Sequence, residues 1–260
     1  MSEFYIAIGS FHCGSGLKKA FRMKHLPIYL VATLAPAISA PAAAQPVQAA
    51  PADAADQLIN LILNPDKLAQ DARTAARAGF MKRLDADPNI AKMEQLRPGL
   101  ILALRQTLDT ELSRAMPAAI TRMRERYREL FTQRLTVAEL VEVRDFYLSP
   151  VGQRMLAQST AAAQAKAMDI AQQGGRRLDE KSMQAITNEA AVAGMQIVRP
   201  EDVPQLTRFA QTTAAQKMIP LQQEANAIAV AETNAMIDTV GPRLGEALKA
   251  TLERHMRGGR

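Results

Sequence analysis

The chain predicts an all-α protein, an antiparallel bundle of about eight or nine helices. Three observations carry that prediction. From Asp53 onward the residues are dominated by Ala, Leu, Met, Gln, Glu and Arg, the types with the best intrinsic helix propensity. Aromatic residues make up 4% of the chain, tryptophan is absent, and no stretch alternates apolar and polar residues with period two. Apolar residues instead recur three and four apart, between prolines, glycines and capping residues.

The first element is an address. Lys18, Lys19, Arg22 and Lys24 precede an apolar run from Leu26 to Ala40, and small residues follow. A positive region, a short apolar run and an A-x-A site define a secretory signal peptide. The run is shorter than the roughly 20 apolar residues of a membrane span, and Pro27 and Pro36 would disrupt a retained helix. The best cleavage point is Ala42-Ala43-Ala44, with Gln45 as the first mature residue; Ala40-Pro41-Ala42 comes second. Without a twin-arginine pair, the general secretory route is expected, to the periplasm or beyond. Met23 makes a better start than Met1, so residues 1–22 read as a surplus extension, and Cys13 lies too far upstream to carry a lipid.

Residues 45–52 (QPVQAAPA) have no apolar period and read as a flexible tether. Helices then follow in three groups: N-terminal helices over 53–114, a helical domain over 115–175, and a second, degenerate one over 176–260. Asn64-Pro65 supplies an N-cap and a proline at the first helical position. Pro98-Gly99 marks a break. Pro117 is expected to open a helix whose stripe is Ile120, Met123, Tyr127, Leu130 and Phe131. Thr136-Val137-Ala138-Glu139 is a capping box, Ser149-Pro150 caps the next helix and Gly174-Gly175 ends it. Pro200 opens another helix, and Gly241-Pro242 is expected to separate the last.

Composition narrows the function. The chain carries 32 Lys/Arg and 26 Asp/Glu, of which four and one lie in residues 1–44. The remaining 216 residues hold 28 and 25, so the net charge falls from +6 to +3. Much of the basicity belongs to the address, which removes the case for nucleic acid. After Ala44 there is no cysteine and one histidine, His255, expected as a solvated helix terminus. Disulfides, thiol chemistry and Cys/His zinc sites are thereby removed, and nothing in the sequence asks for a cofactor.

Residues 135–156 and 198–219 align without a gap at an offset of 63. Phe146 meets Phe209, Gln153 meets Gln216 and Met155 meets Met218, while Glu139 meets Asp202 and Arg154 meets Lys217. Leu140, Val143 and Phe146 match Val203, Leu206 and Phe209, so two similar helical hairpins are expected to cover each other's apolar faces. The copies part at the elbow. Tyr147, Ser149, Pro150 and Gly152 of the first become Ala210, Thr212, Thr213 and Ala215 in the second.

At the first elbow, ELVEVRDFYLSPVGQRML resembles the signature of an exported bacterial family known as domain of unknown function 2059. The resemblance rests on Phe146-Tyr147, Ser149-Pro150-x-Gly152 and Gln153, with Arg154 standing where lysine is more usual. It implies an all-helical, signal-bearing and often periplasmic protein, over roughly 115–175, and supplies no activity.

Glu139, Phe146, Tyr147, Ser149, Pro150, Gly152, Gln153 and Arg154 are therefore the candidate contact surface, or else the parts of a structural turn. Ser149 has no neighbouring base and no Gly-x-Ser-x-Gly setting, which argues against a nucleophile. Arg122, Arg124, Arg126 and Arg128 are two apart, so they scatter around a helix as a solvated, partly paired surface. Asp85/Asp87 and Asp179/Glu180 read as caps or solvent-facing groups, and the dispersed methionines as core. Two readings remain. One is a non-catalytic interaction or structural protein of the cell envelope, binding an envelope protein or itself, with no membrane span after cleavage. The other is a small-molecule or lipid binder with a closed apolar pocket, or a carboxylate-dependent enzyme using Tyr147.

Overall fold

Asn64, Asp87, Thr136, Ser149 and Asp179 each accept a hydrogen bond from a backbone amide in the first turn of the helix they precede. Such caps stabilise a helix by about 1 kcal/mol each, and they fix where the elements begin. The computed structural model describes residues 51–173 and 177–257. Over these it contains nine α-helices and no strand: α1 (Pro51–Ile62), α2 (Pro65–Ala86), α3 (Pro88–Leu96), α4 (Leu100–Arg134), α5 (Val137–Leu148), α6 (Pro150–Gln172), α7 (Glu180–Gln196), α8 (Val203–Ala210) and α9 (Thr213–Arg257). A 3-10 turn (Pro200–Asp202) leads into α8. The all-α bundle is as predicted. The signal segment, its cleavage point and the Gly174-Gly175 helix stop lie outside the described residues, and α1 begins at Pro51, two residues inside the expected tether.

Two long helices form the spine. α4 has 35 residues and α9 has 45, about 52 Å and 68 Å at 1.5 Å per residue. They run antiparallel: Thr107 meets Thr251 (Oγ1 to Oγ1, 2.8 Å), the Tyr127 hydroxyl donates to the Ala225 carbonyl (3.2 Å), and Arg134 reaches Glu224 (3.0 Å). Burial of the Tyr127 hydroxyl pushes it well above its ordinary range. Buried Glu232 of α9 accepts from Arg122 and Arg126 of α4, each at 3.1 Å, so a buried carboxylate holds two guanidinium partners one turn apart.

Two expected helix boundaries are corrected here. Pro117 lies inside α4, and Pro242, with Pro220, lies inside α9. A proline within a helix costs roughly 3 kcal/mol. It is overridden because the buried stripes continue across it. Leu104, Leu108, Leu112 and Met116 lead to Ile120 and Met123 in α4, and Met236 and Val240 lead to Leu244 and Leu248 in α9. α4 does begin at Pro98-Gly99, where Gly99 has φ 93°, a left-handed conformation that favours glycine. The Glu94 carboxylate caps it, accepting from the Gly99 and Ile101 amides, both at 2.8 Å.

The N-terminal helices cover only one side of the spine. α1 packs on α4 and α5, and α2 on α4 and α6. Arg128 binds Asp56, Arg124 binds Asn60 and Arg144 binds Gln57, fixing α1 in place. α2 runs parallel to α6, with Asp71 beside Gln164 and Lys82 donating to the Gln172 carbonyl (3.3 Å), so the bundle is not antiparallel throughout. No short loop joins this pair, and nothing forces it antiparallel. Among the described residues, no helix is long and apolar enough to cross a membrane.

Candidate functional site

The Ser149-Pro150 elbow turns the chain between α5 and α6 within one residue. The Ser149 hydroxyl donates to the Phe146 carbonyl (2.6 Å) and accepts from the Gly152 amide (3.2 Å), ending one helix and starting the next. Pro150 takes the first helical position, where no amide is needed. Gln153 closes the turn by donating to the Leu148 carbonyl (3.1 Å). Gly152 is required by space: a Cβ there would lie 2.1 Å from the Phe146 oxygen. Ser149 thus has both its donor and acceptor engaged with backbone, an arrangement suited to capping and not to attack on a substrate.

The second elbow repeats this hydrogen bonding with weaker parts. The Thr212 hydroxyl accepts from the Ala215 amide (3.1 Å), as Ser149 does from Gly152. Asp202 accepts from the Arg199 amide (3.0 Å), as Glu139 does from Thr136 (2.8 Å). Each of these pairs is related by the offset of 63.

The two elbows face each other. Phe146 stacks on Phe209 with ring centroids 3.9 Å apart and planes 2° from parallel, and Tyr147 packs edge-on against Phe146. Glu139 pairs with Lys217 (2.7 Å) and Arg154 with Asp202 (2.6 Å). Glu139 and Asp202 are repeat equivalents, as are Arg154 and Lys217. One copy's acid therefore meets the other copy's base in both directions, while Phe146 meets its own equivalent. This reciprocity is the signature of a two-fold axis, here relating two halves of one chain. The helix pairs obey it too. Exchanging α4 with α7 and α6 with α9 converts the α4–α9 packing into the α6–α7 packing, and these are the two most extensive in the molecule.

The ion pairs hold both acids below their ordinary values, Glu139 chiefly through Lys217 and Asp202 chiefly through Arg154. Burial raises the Tyr147 phenol. Arg154 carries a mismatch, because its buried Nε has no hydrogen-bond partner. Lysine, the residue of the second copy at this position, has no such donor.

The repeat also extends further upstream than the alignment from 135. At the same offset, the stripe Ile120, Met123, Tyr127, Leu130, Phe131 of α4 corresponds to Met183, Ile186, Ala190, Ala193, Gly194 of α7. The signal was an unchanged register, masked by the change from large to small residues. It has a packing reason: a Cβ at Gly194 would lie 2.4 Å from Ser159 Oγ, and Ser159 donates to the Ala190 carbonyl (2.7 Å). Pro117 corresponds to Glu180, the first residue of α7, so it stands where the repeat begins.

The remaining sequence candidates have ordinary places. Arg122, Arg124, Arg126 and Arg128 are all partnered across helices. Asp87 and Asp179 are caps. Met116, Met123, Met183 and Met236 are buried, whereas Met195 stands exposed. His255 is corrected: instead of projecting freely, its Nε2 lies 3.2 Å from the Arg97 carbonyl oxygen, closing the α9 terminus onto the α3–α4 turn. An open depression of about 480 Å³ lies there, lined by Arg97, Arg254 and His255 among others. A second, of about 760 Å³, lies beside the elbows between Glu139, Glu142, Asp145 and Thr212. That depression is lined from both copies, and beside it the copies meet through the stacked Phe146 and Phe209 rings.

Residues 121–181 match the model of a family described as an uncharacterized protein conserved in bacteria, domain of unknown function 2059. The match spans the second half of α4, α5, the first elbow and α6, nearly all of the first copy of the repeat, and ends on the first two residues of α7. No curated protein and no solved structure matches the chain.

Proposed function

We propose that this is an exported, non-catalytic interaction or structural protein of the bacterial cell envelope. The observation that carries the reading is the use of the elbow residues. Phe146, Glu139 and Arg154 join the two helical hairpins, Ser149 and Gly152 build the turn within the first, and the depression that Glu139 lines is open. A family signature made of packing and capping residues supports a scaffold whose product is a surface. The apolar run after Lys24, with its Ala-x-Ala site, supports delivery across the inner membrane. The hairpins meet through stacked phenylalanine rings and two ion pairs, and the depression beside them is open with Glu139, Glu142 and Asp145 on its wall, which weighs against an enclosed apolar ligand pocket.

The reading is tested by expressing the full chain with a C-terminal tag, fractionating the cells and sequencing the N-terminus of the product. A periplasmic product beginning at Gln45, cross-linked in cells to an envelope protein or to itself, is the expected result. An unprocessed cytoplasmic product that gives no cross-link would end the proposal.

A further inference from the structure

The spine ends in the open depression of about 480 Å³ where α9 finishes against the α3–α4 turn. Leu96, Arg97, Pro98, Thr251, Arg254 and His255 line it. Its parts are held in place. The Thr251 hydroxyl meets that of Thr107 (2.8 Å), and His255 Nε2 donates to the Arg97 carbonyl (3.2 Å), because a carbonyl oxygen can only accept.

Its cations are not neutralised as others are. Elsewhere the arginines are tied: Arg77 to Asp109, Arg114 to Glu111, Arg128 to Asp56, and Arg122 and Arg126 to Glu232. Among the described residues, the side chains of Arg97, Arg105 and Arg254 have no hydrogen-bond or ion-pair partner, and two of these three stand on this one depression. The acids around it are already engaged. Glu94 accepts from the Ile101 and Gly99 amides, which do more than His255 to hold it below its ordinary range. Glu253, next to Arg254 in the chain, pairs with Lys249 and Arg257. No Asp or Glu lines the depression among the described residues.

Two guanidiniums from two elements select the anion. A carboxylate offers two oxygens, which a single arginine fork occupies. A phosphate carries more charge and has oxygens for both forks at once. Leu96, 75% exposed, and Pro98 set apolar surface beside the cations, the pairing that suits a phosphate at the surface of a lipid layer.

We propose that this depression binds a phosphate group through Arg97 and Arg254, carried by an anionic lipid headgroup or free in solution. The site is independent of the elbows and of the envelope role proposed above, and its test needs neither export nor cross-linking. The purified full chain is titrated calorimetrically with inorganic phosphate. Separately, it is sedimented with vesicles of equal parts phosphatidylglycerol and phosphatidylcholine, or of phosphatidylcholine alone. Binding to the anionic vesicles is expected. It should weaken about tenfold in Arg254→Gln, an exposed helix-end change, and further in Arg97→Gln/Arg254→Gln, with helical circular dichroism unchanged. Arg199→Gln/Arg208→Gln removes the same charge near the other end of α9 and should bind as the parent does. The cations from Lys18 to Lys24 are common to every variant, so their own attraction for the vesicles cancels. Binding of inorganic phosphate without the vesicles, lost in the same arginine variants, would assign the site to a soluble phosphate. Binding of neither, or a loss no greater in Arg97→Gln/Arg254→Gln than in Arg199→Gln/Arg208→Gln, would overturn the inference.

Discussion

Replacing Gly152 by alanine would place a Cβ 2.1 Å from the Phe146 carbonyl oxygen, 2.7 Å from Tyr147 Cα and 2.9 Å from the Phe146 carbonyl carbon. All three neighbours are backbone, so no side chain can swing aside. Relief requires α5 and α6 to separate at the elbow, which moves Phe146 against Phe209. Overpacking of this kind costs up to about 3 kcal/mol. Alanine in place of a helical glycine returns about 1 kcal/mol, leaving a net loss of about 2 kcal/mol. For a protein of this size the melting temperature should fall by roughly 4–8 °C. Scanning calorimetry and urea titration read the change. Ala215→Gly is the control: it makes the second elbow resemble the first and should lose about 1 kcal/mol through helix propensity alone. If Gly152→Ala melts at or above the parent temperature, the tight elbow is not what demands glycine and the reasoning fails.

The stacked rings should show coupling. In a double-mutant cycle of Phe146→Leu and Phe209→Leu, read by urea midpoints, an interaction energy of about 1 kcal/mol is expected, and a value near zero would refute ring-on-ring contact. Arg154→Lys should be neutral or stabilising by up to about 1 kcal/mol, since it removes an unpartnered buried donor and keeps the charge for Asp202; Arg154→Met should destabilise, and the reverse order in thermal melts would contradict the assignment. Acid should weaken the fold through Glu94, Glu139 and Asp202, whose folded values lie below the ordinary ones. Their contribution is complete above the unfolded glutamate value of 4.5 and is lost as pH falls through the lower folded values. The urea midpoint should therefore decline below about pH 4.5, and less steeply in Glu94→Gln; equal slopes would remove Glu94 from the account.

What the sequence disclosed was what is local. Asn64, Thr136 and Ser149 announce helix starts because a cap acts within one turn, whatever lies around it, whereas Pro200 opens only a 3-10 turn and the α-helix follows at Val203. The repeat and its matched charges were also visible at the offset of 63. Their cross-pairing was not, because sequence gives equivalence and says nothing about which copy a side chain faces. Pro117 and Pro242 misled for a related reason: a local cost near 3 kcal/mol was set against packing along helices of 35 and 45 residues. His255 reads as a solvated terminus in the sequence because its partner, the Arg97 carbonyl, lies 158 residues away.

The reciprocal pairing of the hairpins has a consequence for how their sequences can change. Had the halves been separate molecules, each contact would need enough affinity to find its partner from dilute solution. Joined through residues 173–179, they meet at an effective concentration in the millimolar range expected for a short linker. A modest interface then suffices, and one elbow can lose its proline and glycine without the pair coming apart. Tethering therefore leaves Thr213 and Ala215 tolerable in the second copy. It also frees that hairpin's outer face to change, as the first hairpin, held under α1, is not free to do.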